Sequence, residues 1–160
     1  MLTIRPLQPS DERVWRRLWT DYLTFYDASV PEEVYGRTWE RLFADREFEP
    51  KGLLALLDSR PAGLTHYLYH RSCWSGANNC YLQDLYTVPE ARGRGVGSAL
   101  IRAVRDRAAA VGVSNVYWMT HESNETARRL YDRVARRTGF IEYDLQPGGE
   151  TIQATFNTGR

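Results

Sequence analysis

A glycine-rich turn between a strand and a helix constrains the fold of this chain more than any other feature. Residues 92–98 read Arg-Gly-Arg-Gly-Val-Gly-Ser and follow a strand predicted over residues 81–88, which Pro89 ends. The next segment has Gly112 at its end and apolar residues at helical spacing, namely Val96, Leu100, Val104 and Ala108. Three glycines in five residues allow a tight bend and remove the Cβ atoms that would keep a ligand away. The chain is therefore expected to contain a strand–turn–helix unit with an open turn.

This turn has the properties of an anion site. The first amides of the predicted helix lack carbonyl partners and lie at the positive end of the helix dipole, which suits a phosphate or pyrophosphate. Arg92 and Arg94 add formal charge, and arginine can bind phosphate through two hydrogen bonds. A Walker loop is excluded because it needs Gly-Lys-Ser/Thr, and the only lysine is Lys51. A dinucleotide fingerprint fits badly because the glycines of the turn recur at every second residue.

The remaining elements follow from hydrophobic periodicity and turn residues. Helices are predicted to begin at Ser10 or Asp11, near Pro31, and at Asn124, the last one ending near Arg136. The other predicted strands cover residues 3–5, 53–57, 63–70, 113–120, 140–145 and 151–156. No internal repeat, low-complexity tract or linker interrupts the sequence. Residues 1–160 are therefore expected to form a single mixed α/β domain.

Composition narrows the class of protein. The 21 basic and 20 acidic residues leave a net charge of +1, so neither nucleic acid nor a membrane surface is an expected partner. No apolar run approaches the roughly 20 residues that span a bilayer, and the N-terminus lacks the apolar segment of a secretory signal. Two cysteines, Cys73 and Cys80, do not make a disulfide framework. These observations favour a cytoplasmic protein, and the near absence of lysine favours a bacterial source with a GC-rich genome.

Two segments resemble the motifs of a known family. Residues 92–97 resemble the Arg/Gln-x-x-Gly-x-Gly/Ala motif of the GNAT superfamily of acetyl-CoA-dependent N-acetyltransferases. Asn124-x-x-Ala127-x-x-Leu130-Tyr131 resembles the second motif of that family. The resemblance extends over essentially the whole chain. It implies a GNAT fold, with a central mixed and twisted β-sheet flanked by about four helices, and transfer of acetyl from acetyl-CoA to a primary amine.

The resemblance also implies roles for individual residues. The turn amides would hold the CoA pyrophosphate, and the preceding strand would pair with the pantetheine arm. Tyr131 would protonate the departing thiolate as general acid, Asn124 would bond the pantetheine, and Arg133 would reach the 3′-phosphate. A tyrosine that only packs on the core and an asparagine that only caps its helix are the structural alternatives. The residues so assigned to acetyl-CoA are Leu85, Tyr86, Val88, Arg92, Gly93, Arg94, Gly95, Val96, Gly97, Ser98, Asn124, Ala127, Tyr131 and Arg133.

The general base is not assigned by the sequence. Polyamine-acetylating members of the family have a strand glutamate where this chain has Gln83, and glutamine cannot accept and hold a proton. Asp84 is adjacent, but strict alternation along a strand points it to the other face. His121 and Glu122 are the other titratable groups within reach, and deprotonation through water is equally open.

The acceptor is predicted to be a small-molecule amine such as a polyamine or an amino acid. Residues 132–138 make the helix after Tyr131 longer than in many members, which resembles a branch that acts on amino acids and proteins. Aromatic residues of the first helix are expected to line the acceptor pocket, with Trp19 and Tyr26 surplus to the core. Asp27 is one of several acidic residues that could form a rim for a cation. The alternatives are a peptide or protein N-acetyltransferase and a non-catalytic acyl-CoA sensor.

Other signals carry less weight. His66 and His70 share one face of a predicted strand but lack a third ligand nearby, so no metal is predicted. The basic residues between positions 128 and 137 are interrupted by Asp132 and lie on a helix that needs a solvated face, which argues against a nucleic-acid site. Relatives in the family often dimerise, so a homodimer is a further expectation.

Overall fold

The computed structural model describes residues 1–145 and 155–156. Within that part of the chain, four α-helices flank a five-stranded mixed sheet. The helices are α1 (Glu12–Phe25), α2 (Glu32–Leu42), α3 (Val96–Ala110) and α4 (Glu125–Val134). The strands are β1 (Leu2–Pro6), β2 (Ala28–Ser29), β3 (Lys51–Leu57), β4 (Arg60–Arg71), β5 (Asn78–Thr87), β6 (Asn115–Tyr117) and β7 (Thr155–Phe156). No helix in the described ranges is both long and apolar enough to cross a membrane.

The central sheet has the order β1-β3-β4-β5-β6. Its first four strands pair antiparallel, whereas β5 and β6 pair parallel. A parallel pair needs a crossover connection, and α3 supplies it. The strand–turn–helix unit predicted around residues 92–98 is therefore confirmed, and it lies at the centre of the fold.

The hairpin between β3 and β4 is tighter than predicted. Asp58 and Ser59 connect the two strands with φ angles of +51° and +63°. Two consecutive residues with positive φ are what a two-residue type I′ turn requires, and this turn matches the twist of the paired strands. As a result, β4 begins at Arg60, three residues before the predicted start of the strand.

The core lies on both faces of the sheet. All four predicted apolar positions of α3 are buried, together with Ile101. The buried residues of α1 are Trp15, Leu18, Trp19 and Leu23. The prediction that Trp19 is surplus to the core is wrong, because its ring stacks on Trp15 at 5.1 Å between centroids and packs edge-on against Tyr35. Phe25, at the end of the same helix, is 51% exposed.

The predictions for the C-terminal part are only partly confirmed. The strand predicted over 113–120 forms only three residues of β6, and the strand predicted over 140–145 is wrong because that segment has no regular structure. A strand needs a neighbour for its backbone hydrogen bonds, and no described strand pairs with these residues. Of the last predicted strand, Thr155–Phe156 pairs with β2, and residues 151–154 lie outside the described residues.

Candidate active site

The two parallel strands separate soon after they pair. β6 contacts β5 only from Asn79 to Tyr81, so within the described residues the following part of β5 has no strand partner on that side. Half-buried Leu85 and buried Tyr86 and Val88 lie along this free stretch or just beyond it. Unpaired backbone groups at a strand edge are ready to pair with an extended ligand. The gap lies along the strand that, by the family resemblance, would pair with the pantetheine arm.

A buried polar atom lies in the segment that follows β6. Thr120 follows β6, and its hydroxyl oxygen is shielded from solvent without a hydrogen-bond partner in the described residues. A buried hydroxyl in a folded protein normally has such a partner. The orphan hydroxyl and the free strand edge both fit a ligand that carries amide groups.

The glycine turn lies at the start of α3. Gly93 and Gly95 have φ angles of +74° and +82°, and a Cβ atom at either would meet no atom within 4 Å. The turn is therefore an open cradle rather than a packed corner. The amide of Ala99 donates to the carbonyl of Gly95 at 2.9 Å, so the amides of residues 96–98 precede the first helical hydrogen bond of α3. This geometry fits a pyrophosphate.

Two arginines of the turn already have protein partners. Arg92 donates from Nε to the carbonyl of Thr87 at 3.3 Å, and its guanidinium lies 5.6 Å from the centre of the Phe25 ring. Arg94 forms an ion pair with Asp58 at 3.3 Å, with both side chains more than half exposed. An exposed pair of this kind contributes little to stability, so Arg94 can exchange Asp58 for a phosphate at small cost.

Helix α4 is anchored close to the turn. A Cβ atom on Gly97 would lie 3.1 Å from Cδ2 of Leu130, so the start of α3 touches the middle of α4. Asn124 accepts a hydrogen bond from the amide of Ala127 at 3.2 Å, which confirms the predicted cap. Its side-chain amide also donates to the Tyr26 hydroxyl at 3.4 Å. Asn124 therefore links α4 to the end of α1.

Tyr131 lies on the inner side of α4. Its ring packs edge-on against Trp118 at 5.3 Å between centroids, and the side chain is half-buried. Burial, with a smaller contribution from Tyr26, raises the pKa of Tyr131 to about 12. The phenol is therefore protonated at neutral pH and can act as a proton donor. Arg133 lies exposed near the end of the same helix.

The register of β4 and β5 contradicts the orientation predicted for Asp84. His66 pairs with Asp84 and Tyr67 pairs with Leu82, so a β-bulge leaves Gln83 without a partner on β4. Cross-strand partners share a face of the sheet, and His66 packs against the tryptophans of α1. The bulge therefore turns Asp84 toward α1, because it interrupts the alternation on which the prediction relied.

His66 and Asp84 form a buried hydrogen-bonded pair. The indole N–H of Trp15 donates to Nε2 of His66 at 2.8 Å, and an indole nitrogen can only donate. Nε2 is therefore unprotonated, and Nδ1 carries the hydrogen that it donates to Oδ2 of Asp84 at 2.8 Å. His66 is almost fully buried, whereas 18% of the Asp84 side chain is exposed. The sequence carried no signal for this arrangement, because it depends on the register of two strands.

Tyr22 connects this pair to the tyrosines near α4. Burial raises the pKa of Tyr22 well above its usual range, and the charge of Asp84 and a hydrogen bond to it add to the effect. The ring of Tyr22 packs edge-on against Tyr26 at 5.1 Å between centroids. The nearby Tyr131 also raises the pKa of Tyr22 through its charge. Asp84 and the candidate general acid thus share Tyr22 as a neighbour.

An open pocket lies between the end of α1 and the start of α4. It has a volume of about 530 Å³ and is lined by Phe25, Tyr26, Asp27, His121, Ser123, Asn124, Glu125 and Thr126. Of the predicted groups, Tyr26, Asp27 and His121 line it, and Trp19 does not. His121 is hydrogen-bonded through Nδ1 to the hydroxyl of Ser123 at 2.7 Å. Glu122 instead forms an ion pair with Arg137 at 3.7 Å.

The histidines and cysteines outside the pocket are dispersed. In residues 1–145 and 155–156, no group of three His, Cys, Asp or Glu side chains could hold a metal ion. His70 bonds the hydroxyl of Tyr117 through Nε2 at 2.9 Å. Cys73 is exposed, Cys80 is buried, and both are free thiols.

Comparison with known proteins extends the resemblance seen in the sequence. A family model described as the acetyltransferase (GNAT) family matches residues 13–135. The D-amino-acid N-acetyltransferase HPA3 of Saccharomyces cerevisiae is 36% identical over 145 residues, which are 89% of each chain. A thialysine N-epsilon-acetyltransferase of Caenorhabditis elegans is 31% identical over 98 residues, or 61% of each chain.

Solved structures share the fold. A crystal structure of a probable acetyltransferase matches with a TM-score of 0.79 at 23% identity, covering 92% of this chain and 99% of that one. The structure of AAC(6')-Iy with the bisubstrate analog CoA-S-monomethyl-acetylneamine matches with a TM-score of 0.78 at 18% identity and the same coverage. The GNAT fold predicted from the two motifs is confirmed. The chain belongs to the GNAT acetyltransferase family, which uses acetyl-CoA, and is an acyltransferase with N-acetyltransferase activity.

Proposed function

We propose that this enzyme transfers acetyl from acetyl-CoA directly to a primary amine of a small molecule, namely an amino acid, a polyamine or a similar compound. The observation that carries the proposal is the open glycine turn at the start of α3, which contacts α4, the helix that also bears the buried Tyr131. The yeast relative, named for acetylation of D-amino acids, matches over 89% of both chains and supports an amino-acid acceptor. The relatives named for thialysine support the same class.

The residues of the turn and gap would hold acetyl-CoA. The amides of residues 96–98 and the glycines before them would bind the pyrophosphate, with Arg92 and Arg94 adding charge. The free edge of β5 would pair with the pantetheine arm, and Asn124 and Ala127 would contact it from α4. Arg133 would reach the 3′-phosphate from the same helix. When bound, acetyl-CoA supplies an acyl group activated as a thioester.

The protein contributes positioning and one proton. Positioning of two reactants supplies several kcal/mol of the barrier reduction, up to about 7–11 kcal/mol in the best intramolecular cases. Tyr131 would donate its hydroxyl proton to the leaving sulfur, because its raised pKa keeps it protonated until that moment. The open pocket beside Tyr26 would hold the acceptor, and Asp27 and Glu125 give it negative charge suited to a cationic amine.

A thiol-release assay tests the proposal. The enzyme is given acetyl-CoA with D- and L-amino acids, thialysine, polyamines, aminoglycosides and short peptides, one at a time. Release well above the rate without acceptor is expected for amino acids, thialysine or polyamines. Release with peptides alone would replace the small-molecule acceptor with a protein. Calorimetric binding of acetyl-CoA with no release for any acceptor would favour an acyl-CoA sensor and contradict the proposal.

We propose that residues 1–160 form one domain and that the enzyme works in the cytoplasm, as the length and composition favour, and that it forms a homodimer, as the resemblance implies. Light scattering after size-exclusion chromatography distinguishes a monomer of 18.5 kDa from a dimer of twice that mass. A monomer at the concentrations used for assay would contradict the dimer.

A further inference from the structure

The bulge at Gln83 gives Asp84 an unusual position. One end of the carboxylate is fixed, because Oδ2 accepts the hydrogen of His66 Nδ1 at 2.8 Å. His66 is itself held by the indole of Trp15, and only 4% of its side chain is exposed. Asp84 remains 18% exposed and lies next to Tyr22. In this pair the imidazole is therefore shielded from solvent, whereas the carboxylate is accessible.

The surroundings of Asp84 suit an ammonium group. The titratable groups that face it are His66 on β4, Tyr22 on α1 and Tyr81 on β5 itself. Tyr22 is in contact with Tyr26, which lines the acceptor pocket. Within the described residues, no arginine forms an ion pair with Asp84, and aromatic rings beside a carboxylate favour a cation. A positively charged amine is the ligand that suits this arrangement.

We propose that Asp84 is the general base of the reaction. Its carboxylate takes one proton from the acceptor R–NH₃⁺, giving R–NH₂ with a free lone pair and a neutral carboxyl group, which returns the proton to water after turnover. His66 is a positioning residue that holds the carboxylate, and Trp15 sets the tautomer of His66. This inference rests on the proposed function, since it assumes an amine acceptor.

The other candidates are less well placed. Gln83 cannot hold a proton, and the bulge leaves it unpaired and exposed. Glu122 is bound by Arg137 at the surface, and His121 is bonded to Ser123. Tyr22 stays protonated because burial raises its pKa, so it donates to Asp84 rather than competing with it for the proton.

The substitution Asp84→Asn tests the base with little change in structure. The carboxamide oxygen of asparagine can still accept the hydrogen of His66 Nδ1, so the buried bond is kept while the basic group is lost. At pH 7 we expect kcat to fall about a hundredfold or more, within the range usual for general-base catalysis, with the Kd of acetyl-CoA unchanged. Asp106→Asn is the matched control, because Asp106 lies exposed on α3 and pairs with its neighbour Arg105.

The pH dependence separates a base from a structural role. Without Asp84, only amine that is already deprotonated in water can react. The kcat/KM of Asp84→Asn should then rise about tenfold for each pH unit below the pKa of the acceptor, which is near 10 for an alkylamine. The kcat/KM of the wild-type enzyme should rise less steeply with pH. The ratio of wild-type to Asp84→Asn activity should therefore decrease between pH 7 and pH 9.

Each outcome of these measurements either supports or overturns the role of Asp84 as general base. Activity of Asp84→Asn equal to that of Asp106→Asn would overturn the inference and leave the proposed function standing. A loss that is equally large at every pH would also overturn it, because a purely structural defect has that form. If Asp84→Asn shows no cooperative thermal transition, the variant Asp84→Glu is measured instead. A pH profile of Asp84→Glu like that of the wild-type enzyme would support the general base. A rise of about tenfold for each pH unit would overturn it. No acetyl transfer by the wild-type enzyme would overturn both proposals.

Discussion

At the scale of single residues, Tyr131 is the group on which the proposed chemistry most depends. Tyr131→Phe removes the hydroxyl and keeps the ring against Trp118. We expect kcat to fall about a hundredfold, the scale of general-acid catalysis, with the Kd of acetyl-CoA unchanged. Because the pKa of Tyr131 is raised to about 12, its deprotonation should not reduce wild-type activity up to pH 10.

The control for this variant is Tyr143→Phe, which removes the same hydroxyl from an exposed tyrosine outside the site. It should leave turnover unchanged in the thiol-release assay. Undiminished turnover by Tyr131→Phe would remove the general-acid role and leave Tyr131 as a packing residue.

The bond between Trp15 and His66 makes a separate prediction about stability. Trp15→Phe removes the indole donor and leaves the buried Nε2 of His66 without a partner. An unsatisfied buried acceptor costs about 1–3 kcal/mol, to which the lost ring volume adds. Urea denaturation should show this loss in the free energy of unfolding. Trp39→Phe is the matched control, since Trp39 packs on Trp15 from a half-buried position. Equal losses in the two variants would show that the indole hydrogen bond adds no stability.

Two residue-level predictions were wrong for reasons that lie outside a single sequence. Strict alternation predicted Asp84 on the other face of the strand from its neighbour Gln83, but a bulge adds one residue to β5 and reverses the alternation after it. Trp19 was predicted to be surplus to the core, but it is one of the four buried residues of α1. Periodicity indicates that a helix has an apolar face, whereas the packing of large rings such as Trp15 and Tyr35 decides which side chains fill the core.

At the scale of elements, the conformation of the glycine turn makes a prediction about binding. Gly95→Ala places a side chain at a φ of +82°, which costs about 1 kcal/mol of strain. A shift of this residue out of the left-handed region moves the amides that follow it. We expect at least a tenfold rise in the Kd of acetyl-CoA, measured by calorimetry.

Gly112→Ala supplies the control for the turn. Gly112 has a φ of +73° just beyond the other end of α3, so the substitution imposes similar strain far from the turn. It should lower stability by a similar amount without changing the affinity for acetyl-CoA. Equal Kd values for the two variants would contradict the assignment of the turn to CoA.

Elements with strong local signals were predictable and those that depend on distant partners were not. Helix α3 has a glycine before it, a glycine after it and apolar residues at each turn, so its start and buried face were predicted correctly. Residues 140–145 are rich in apolar side chains, but a strand also needs an edge to pair with, and no local pattern supplies one. The short β6 shows the same dependence on its neighbour β5.

At the scale of the whole molecule, the fold brings side chains from three separate parts of the chain together around Tyr22. α1 supplies Tyr22 and Tyr26, the bulged β5 supplies Asp84, and α4 supplies Tyr131. The order of the motifs allowed the family, and the strand–turn–helix unit that carries the glycines, to be predicted from the sequence. The proposed acceptor side could be predicted only in outline, because its residues are far apart in the chain and their contacts depend on the register of β4 and β5.

Product analysis tests the central claim most directly. The wild-type enzyme is incubated with acetyl-CoA and thialysine or a D-amino acid, and the small molecules are examined by mass spectrometry while CoA release is followed. We expect N-acetylated acceptor and free CoA to form in equal amounts, and both to fall together in Tyr131→Phe. CoA release without an acetylated small molecule, or no release for any amine, would contradict the assignment of this enzyme as a small-molecule N-acetyltransferase.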